Sequence, residues 1–391
     1  MPRSNQKIGG ANYQRSQGVA LIMAILITSL VSIAAVAMIT QQQLAVRRTQ
    51  NILHFDQAYV YVLGAEEWAK NALLVQDKSP EIDAYPSAKH DTDIIGMPIA
   101  EEIKQSGLDI GGITGIITDA TGSFPLNMLV NDQGEKNESY WKVFEQLVAN
   151  NLEFNHDFQN LVLDWIDKDD TVSAGGAEDN DYLNLASPNR PYRAANEPIS
   201  SVSELRLMLA LSEDATNAKN DYAALARPGF NPLNAVSLDD IEKQPLVNAL
   251  PRGATDTTIN LNTAPKAVLK ALVDYIDTSI SEQIVNDLVD SRKEEPLLNK
   301  DDKFIKVITD KVETTNPHLP AGSPVTPQKI AYDAKIKKIE ELKKMVDVKS
   351  EYFNLTAHSQ IGDTDVTLIS LLHRNREDGK VTTLRRGIGV I

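Results

Sequence analysis

Residues 19–39 read VALIMAILITSLVSIAAVAMI and contain no charged residue. As an α-helix, this segment of 21 residues would be about 31 Å long, which matches the roughly 30 Å hydrocarbon core of a bilayer. The preceding residues 1–18 contain Arg3, Lys7 and Arg15 and no acidic residue. Because positive flanks stay on the cytoplasmic side, the pattern predicts one membrane-spanning helix with the rest of the chain outside the cytoplasm, which in a Gram-negative cell means an inner-membrane anchor and a periplasmic domain.

The apolar segment allows two interpretations. In the first, residues 35–37 (AVA) are the A-x-A cleavage site of an ordinary secretory signal. In the second, the helix is retained, because residues 19–63 contain neither Gly nor Pro and would form a helix about 68 Å long. Apolar residues continue at spacings of three or four, namely Ile52, Phe55, Tyr59, Val62, Ala65, Ala69 and Leu73. A cleaved signal peptide needs no such continuation.

Composition excludes several classes of function. The chain has 391 residues, a formal net charge of -15 and no cysteine. The acidic balance argues against a nucleic-acid surface, which depends on a basic patch and counterion release. The absence of cysteine excludes disulfide frameworks, thiolate metal sites and cysteine nucleophiles. The length predicts at least two globular lobes.

Strand patterns occur on both sides of a long helical block. Residues 79–112 predict a loop with a short helix, and residues 112–130 predict a β-hairpin that turns at residues 119–122. Near the C-terminus, three antiparallel strands are predicted at 351–357, 365–373 and 380–391. One sheet built from both sets of strands would pair the backbone N–H and C=O groups that either set alone leaves exposed. The expected fold class is therefore α+β, with one antiparallel sheet interrupted by an inserted α domain.

The block between the strands has helical periodicity. Residues 138–211 and 259–307 carry apolar residues at helical spacing, and the proline-rich residues 316–327 predict a loop. Within it, INLNTAPKAVLKAL at residues 259–272 resembles a helix-hairpin-helix unit. Residues 274–281 (DYIDTSIS) replace the glycine hairpin that would approach a phosphate closely, and they contain two acids. We therefore expect a structural module that binds no nucleic acid.

An acidic loop is the strongest candidate for a binding site. Between residues 164 and 181 there are seven carboxylates and a single basic residue, Lys168. Such dense like charge favours a bound cation, and calcium prefers oxygen ligands. A loop starting at Asp167 imitates an EF-hand but has Val172 where the turn requires Gly, so a solvated acidic loop is the alternative. The candidate metal ligands are Asp164, Asp167, Asp169, Asp170, Thr171, Glu178, Asp179 and Asp181.

The first residues carry a resemblance to a known family. A basic leader that ends at Gly18, before an apolar helix that starts at Val19, is similar to a type IV prepilin signal. In ordinary pilins the fifth mature residue is Glu, which neutralises the N-terminal amine of a neighbouring subunit, but here that position is Met23. This departure resembles the K family of minor pseudopilins of type II secretion systems. A buried amine without a counter-charge is costly, so such a subunit belongs at the tip of the pseudopilus.

The resemblance implies further properties. It implies cleavage by prepilin peptidase between Gly18 and Val19, N-methylation of Val19, and minor pseudopilins I and J as partners, with H and the major pseudopilin as further candidates. It implies a structural calcium region in WIDKDD, GGAEDNDY and PYRAANEPISSVSELRLM, to which Ser201 and Glu204 could contribute. It also implies a pilin-like fold, with a long helix packed on the sheet. The predicted segments are a leader (1–18), the pilin helix (19–75), the first part of the body (76–134), the α insertion (135–330) and the C-terminal strands (331–391).

Two other functions remain open from the sequence. One is a membrane-anchored periplasmic enzyme that depends on calcium, although no G-x-S-x-G, H-E-x-x-H, P-loop or G-x-G-x-x-G motif is present and we identify no catalytic residues. The other is a minor pilin of a DNA-uptake system. Since residues 1–18 carry a charge of +3 and residues 19–46 carry none, the remainder carries -18, which opposes DNA binding.

Overall fold

The computed structural model describes most of the chain. The described residues are 13–76, 82–87, 95–105, 108–152, 157–185, 191–208, 215–234, 237–252, 257–280, 282–318 and 326–389. Most of the predicted leader therefore lies outside them. Helix α1 (Tyr13–Gln76) is continuous over 64 residues, which confirms a single helix through the apolar and amphipathic halves. Among the described residues it is the one helix long and apolar enough to cross a membrane.

One antiparallel sheet unites strands from the two ends of the chain, as predicted. Its order is β1 (Ile99–Gln105), β2 (Leu108–Asp119), β7 (Tyr352–Ile361), β8 (Thr364–Arg374) and β9 (Val381–Ile388). The pairing of β2 with β7 places Gly115 opposite Ala357 and closes the gap across the insertion. The turns between the C-terminal strands contain Gly362 and Gly379, both with positive φ. Both turns lie between the C-terminal strands that the sequence predicts.

Of the predicted hairpin at 112–130, the first strand and the turn at 119–122 are present, but the second strand and its pairing with the first are wrong. After β2 the chain leaves the sheet, and β3 (Phe124–Pro125) pairs in parallel with β4 (Val247–Asn248) of the insertion. Residues Leu126–Leu129 form a 3₁₀-helix in which every residue is buried. A run without alternation between buried and exposed positions cannot form a half-exposed strand, and here it enters the core of the insertion.

The first strand of the sheet was also missed. β1 occupies part of the segment for which we predicted a loop with a short helix, and residues 82–87 and 95–98 contain no helix. Its sequence, IAEEIKQ, has two adjacent acids and little strand propensity. An edge strand tolerates such charged residues because one side of its backbone has no neighbouring strand.

The sheet packs against the second half of α1. Ala58, Val62, Ala65, Ala69 and Leu73 are buried on this face of the helix. They contact a layer of buried apolar residues on the strands, which includes Ile113, Ile117, Phe353, Leu355, Ala357, Val366, Leu368 and Leu372. The small alanines let the helix lie close to the sheet, and burial of this face is the main source of its stability.

The insertion is mainly helical and has its own core. Its helices are α2 (Glu138–Asn151), α3 (Phe158–Ile166), α4 (Asp179–Leu183), α5 (Leu205–Met208), α6 (Ala215–Ala226), α7 (Leu238–Ile241), α8 (Lys266–Ile276), α9 (Glu282–Glu294), α10 (Lys306–Glu313) and α11 (Pro327–Met345). A short π-helix, Asp301–Ile305, precedes α10. β5 (Ile259–Asn260) pairs in parallel with β6 (Val346–Asp347). Phe124 and Phe144 stack 5.2 Å apart within the core.

The predicted limits of the insertion, 135 and 330, are too narrow. Residues before 135, such as Phe124 and Leu126, belong to the helical core, and α11 contributes Ile339 and Leu342 to the same core. The structure therefore places the insertion between Asp119, at the end of β2, and Tyr352, at the start of β7. The proline-rich loop misled the sequence prediction, because the helix that follows it still packs on the insertion.

Candidate functional site

A buried carboxylate fixes the membrane helix to the sheet. Glu66 lies on the sheet-facing side of α1, and its side chain is fully buried. Arg386 of β9 donates two hydrogen bonds to it, 2.8 Å from Nε to Oε2 and 2.7 Å from an Nη atom to Oε1. Ser370 and Thr383 donate from 2.7 Å and 2.6 Å. Burial raises the pKa of this carboxyl, but the hydrogen bonds and the charge of Arg386 outweigh burial and lower the pKa of Glu66 to about 2.

Three residues predicted for processing and assembly lie on the exposed first half of α1. Gly18, Val19 and Met23 are all within the helix, and Met23 has an exposed fraction of 61%. The side chains of the described residues from 18 to 53 are likewise exposed. Cleavage after Gly18 and the role of Met23 remain predictions.

An exposed apolar stripe runs along the second half of α1, on the side away from the sheet. It consists of Val46, Leu53 and Val60, seven residues apart, and of Tyr61, Trp68 and Val75, again seven apart. A seven-residue apolar period is typical of a helix that packs along another helix. The sheet covers the opposite face, so this stripe is available to a second helix.

The acidic loop gathers three carboxylates in the interior of the insertion. Asp164 is in the last turn of α3, Asp167 follows the end of that helix, and Glu178 precedes α4. All three residues are buried. Asp164 accepts a hydrogen bond at Oδ2 from the backbone N–H of Ser173, 3.0 Å away. Its Oδ1, Oδ1 of Asp167 and both carboxylate oxygens of Glu178 are buried without a hydrogen-bond partner.

The three carboxylates oppose one another's ionisation. Burial, followed by repulsion from Asp169 and Asp164, raises the pKa of Asp167 to about 7. Burial, followed by repulsion from Asp167 and Asp164, raises the pKa of Glu178 to about 8. Burial also raises the pKa of Asp164. A bound cation would relieve both the desolvation and the repulsion.

The other predicted ligands have different roles in the structure. Asp179 forms an ion pair with Arg193 at 2.6 Å and accepts from the N–H of Ala194. Asp181 accepts from the N–H of Glu178 at 3.0 Å in the first turn of α4. Asp169 accepts from the N–H of Thr171 in a local turn. The structure therefore brings together three of the eight candidates and leaves Asp169, Asp170 and Thr171 exposed.

Three more residues of this region, Asn196, Ser201 and Glu204, are further candidate ligands for the same site. Asn196, which the sequence analysis missed, has positive φ and a buried Oδ1 without a partner, and its Nδ2 lies 3.4 Å from Oδ1 of Asp170. Glu204 accepts from the N–H groups of Ser200 and Ser201 and from Nε1 of Trp165. Ser201 and Glu204 thus form a helix cap. Asn196 could have been identified from the sequence by its place in a loop of the acidic region, because an amide oxygen is a ligand that a hard cation such as calcium binds.

The donor set fits calcium chemically. No three acidic or histidine side chains of the described residues have the geometry of a ready metal site. Calcium takes six to eight oxygens, which include amide and backbone carbonyl oxygens and water. The unpartnered oxygens of Asp164, Asp167, Glu178 and Asn196 supply that class of ligand. Gly176 is required beside them, because a Cβ at this position would collide with Oδ2 of Asp164.

A buried polar network joins the sheet to the insertion. Asp119, at the end of β2, accepts hydrogen bonds from Thr121 Oγ1 at 2.7 Å, Asn260 Nδ2 at 2.9 Å, Ser350 Oγ at 2.7 Å and Thr263 Oγ1. All five residues are buried. Because the donors come from both borders of the insertion and from β5, the network fixes the relative positions of the two cores.

A second buried contact reinforces this junction. Arg374, at the end of β8, forms an ion pair with Asp83, which follows α1 in the chain. Oδ2 of Asp83 also accepts from the N–H of Ser350 at 2.7 Å. Both charged side chains are buried, so each neutralises a charge that would be costly alone. The sequence analysis missed this pair, since nothing local links positions 83 and 374.

The helix-hairpin-helix-like unit uses its hairpin for internal contacts. α8 and α9 flank the short connection, and Asp277 in that connection pairs with Lys335 of α11. Lys338 of α11 donates to the carbonyl of Tyr275 at 2.6 Å. Asp274 pairs with Lys270. The hairpin acids are thus satisfied by lysines of the chain itself, which agrees with a structural role for the unit.

Comparisons with known proteins agree on one family. Two sequence profiles of the family described as "Type II secretion system (T2SS), protein K" match residues 122–227 and 259–305. The type II secretion system protein K of Pseudomonas aeruginosa is 33% identical over 377 residues, which cover 95% of this chain and 92% of that protein. The proteins of the same name from Aeromonas hydrophila and Pectobacterium carotovorum are 28% and 27% identical, and each alignment covers 97% of the relative.

A solved structure shows the same fold. The chain matches one in the crystal structure of the GspK–GspI–GspJ complex from the type 2 secretion system of enterotoxigenic Escherichia coli, with a TM-score of 0.59 and 21% sequence identity. The match covers 88% of this chain and 100% of the other. It confirms the predicted α+β architecture of a long helix, an antiparallel sheet and a helical insertion.

Proposed function

Because this chain belongs to the protein K family of type II secretion, whose members are minor pseudopilins, we propose that it occupies the tip of the pseudopilus and starts its assembly. The observation that carries the proposal is the single helix α1, which is apolar throughout its first half and built into the core of the head in its second. Such a helix can remain in the membrane and later enter a fibre while the head stays folded. The protein acts by packing, as a structural and non-catalytic subunit.

The tip position is supported by Met23 and by the bulk of the insertion. Met23 offers no carboxylate to the N-terminal amine of a neighbour, and an unpaired amine in an apolar environment is costly. The insertion occupies the chain between β2 and β7, so the head is much larger than the sheet and helix alone. Both features disfavour a second subunit stacked above this one.

Minor pseudopilins I and J are the proposed direct partners, with H and the major pseudopilin following them in the fibre. The solved complex with the same fold contains GspI and GspJ beside GspK. In this chain the exposed stripe that runs from Val46 to Val75 supplies a surface for a partner helix. Parallel helices that bury such a stripe would exclude lipid and water from it.

The proposed location is the inner membrane, crossed once, with the head in the periplasm. The uncharged span and the basic residues before it support this orientation. Prepilin peptidase would remove residues 1–18, and Val19 would then carry the new, methylated amine.

We also propose that the acidic loop holds calcium in a structural role. Asp164, Asp167, Glu178 and Asn196 would hold the ion, whose charge compensates carboxylates that otherwise lack partners. The ion would tie α3 to α4 and to the loop that contains Asn196. Neither the enzyme nor the DNA-uptake pilin has a comparable observation in its favour.

Labelling of assembled pseudopili tests the tip position. Because the chain has no cysteine, one introduced at the exposed Lys337 can be coupled to gold and counted along isolated fibres. We expect one label at one end of each fibre. In the variant Met23→Glu, which restores the missing carboxylate, the label should stay at the end, because the insertion still disfavours a second subunit above this one. Internal labels in fibres of the unchanged chain would contradict the proposal.

A further inference from the structure

Two adjacent arginines stand alone on the membrane helix. Arg47 and Arg48 are the only Lys, Arg, Asp or Glu residues between Val19 and Asp56. Both lie in α1 and both are exposed. Within the described part of the chain, neither guanidinium makes a hydrogen bond or an ion pair with another protein group. Two such strong donors on an exposed part of the helix can therefore bind an anionic group outside the chain.

Their position along the helix identifies the level at which that partner lies. Residues 19–46 carry no charge, and 28 helical residues extend about 42 Å. This length equals the roughly 40 to 45 Å thickness of a bilayer with its headgroups. When residues 19–39 span the hydrocarbon core, Arg47 lies eight residues, or about 12 Å, beyond Ile39 and so just above the headgroups of the periplasmic leaflet. The long side chains of the pair can reach back toward the phosphates, as arginines near helix ends do.

The surroundings of the pair favour the same assignment. Residues 40–51 (TQQQLAVRRTQN) contain no Trp or Tyr that could anchor the helix at this interface. Basic residues are also depleted on the translocated side of membrane helices, so a pair here calls for a specific reason. The head begins a short distance along α1 from the pair. The turn between β7 and β8 contacts the helix there, since a Cβ added to Gly362 would lie 3.0 Å from Nδ1 of His54. Arg47 is seven residues from His54, or about 10 Å along the helix, between the head and the membrane.

We propose that Arg47 and Arg48 bind the phosphates of phospholipid headgroups in the periplasmic leaflet and thereby set the depth of the helix before assembly. Successive helical residues point about 100° apart, so the two guanidiniums engage different lipids on neighbouring sides of the helix. Anionic headgroups strengthen the attraction, which should depend on salt. The inference rests on the proposed function, because it requires the retained membrane helix.

Site-directed labelling of the full chain in lipid nanodiscs tests the inference. The absence of native cysteine allows a single nitroxide at Ala45→Cys, to report depth, and in a separate sample at Ser32→Cys, to report insertion. In nanodiscs that contain phosphatidylglycerol, the double substitution Arg47→Gln/Arg48→Gln should shift the label at position 45 by about 3 Å, or two residues. The preference for phosphatidylglycerol over phosphatidylcholine, measured by native mass spectrometry, should fall about fivefold for each guanidinium removed.

Two control variants sharpen the experiment. Arg47→Lys/Arg48→Lys keeps the charge and should retain most of the lipid preference. Lys243→Gln/Lys337→Gln removes the same charge from exposed positions of the head and should change neither readout.

Three results would overturn the inference. If the label at position 32 lies in the hydrocarbon but that at position 45 does not move, the pair does not bind lipid. If lipid preference is unchanged and only binding to the I and J subunits is lost, the pair is a protein contact. If the label at position 32 is exposed to water, the membrane anchor fails as well, and with it the proposed function.

Discussion

Glu66 and Arg386 form a bidentate ion pair with contacts of 2.7 and 2.8 Å although they are 320 residues apart in the chain. Ser370, which lies opposite Arg386 in the pairing of β8 with β9, donates to the same carboxylate. The membrane helix is thus fastened to the last strand of the chain. Force applied along α1 reaches the sheet through this contact as well as through the apolar layer.

Substitution of either partner should destabilise the head, and the two effects should differ. Arg386→Gln removes the bidentate partner of the buried carboxylate and leaves only Lys70, whose Nζ lies 3.3 Å from Oε1, so it should lower the free energy of unfolding by about 3 kcal/mol. Glu66→Gln keeps hydrogen-bonding groups and frees a half-exposed arginine, so we expect a loss of about 1 to 2 kcal/mol. Denaturant unfolding of the full chain in detergent measures both. Glu67→Gln, at a mostly exposed neighbour, should have little effect; equal losses in all three variants would contradict a specific pair.

The melting temperature of the metal-free protein should depend on pH, and calcium should remove that dependence. The pKa values of Asp167 and Glu178 are raised to about 7 and about 8, so their protonation supports the fold at low pH and this support is lost as pH rises through those values. Without calcium, the melting temperature should therefore fall between pH 5 and pH 8. With calcium it should be higher at pH 8, because an ion that binds only the folded state stabilises it.

Substitution of the carboxylates provides the control for that experiment. Asp167→Asn/Glu178→Gln removes the two groups with raised pKa, so the slope with pH and the response to chelation should both decrease. Asp239→Asn, at an exposed position outside the acidic loop, should leave both unchanged. A melting temperature that is independent of calcium in the unchanged protein would instead leave a solvated acidic loop.

Terbium should report the same site by luminescence. Trp165 lies in α3 between Asp164 and Asp167 and packs against Tyr182 at 5.2 Å, so light absorbed by its indole can excite a lanthanide bound to the carboxylates. Trp165→Phe should abolish most of the sensitised emission and keep most of the thermal shift with calcium. Trp68→Phe, on the exposed side of α1, is the matched control and should keep the emission. Emission that depends on Trp68 would place the ion elsewhere.

The elements with strong local patterns could be predicted from the sequence, whereas those defined by distant contacts could not. The apolar run and unbroken periodicity gave α1, and alternating β-branched residues with glycine turns gave β7 and β8. β1 was missed because its acidic residues have low strand propensity and its place depends on β2. We predicted a strand where the 3₁₀-helix after β3 lies, because its residues are mostly apolar. They are buried on all sides, but most of the core residues that surround them come much later in the sequence.

The candidate site could likewise be predicted from the sequence only in part. The density of acids in the loop indicated a cation site, yet the sequence did not show that Asp164, Asp167 and Glu178 turn inward while Asp179 pairs with Arg193. That choice depends on where α3 ends and on the close approach of Gly176. Glu66 was missed for a related reason. An acid within an amphipathic pattern normally marks the solvent face, and its partner Arg386 is supplied only by the final strand.

The mature protein should begin at Val19. Removal of residues 1–18 and methylation of the new amine would leave a chain whose mass identifies both changes. Mass spectrometry of protein from the membrane fraction measures them. Gly18→Leu should block processing, because a side chain replaces the hydrogen at the predicted cleavage position, whereas Gly64→Ala, at an open position later in α1, should not. A start near residue 38 would indicate an ordinary secretory signal and exclude a retained helix.

Disruption of the polar network around Asp119 should separate the unfolding of the insertion from that of the sheet. Asp119→Ala removes the acceptor of three buried donors, the Thr121 N–H and the hydroxyls of Ser350 and Thr263, whereas Asn260 Nδ2 keeps the carbonyl of Asp83 at 2.8 Å. Each such donor costs about 1 to 3 kcal/mol, so we expect a total loss of at least about 3 kcal/mol. Because the donors lie at the junction, the loss should fall on the contact between the two cores and leave each core intact. Calorimetry should then resolve two transitions where the unchanged protein shows one, and calcium should raise only the transition of the insertion.

Asp132→Asn, at an exposed position of the insertion, should keep a single transition. One transition at a lower temperature in Asp119→Ala would show that the apolar contacts alone couple the two cores, and the network would then be a local stabiliser.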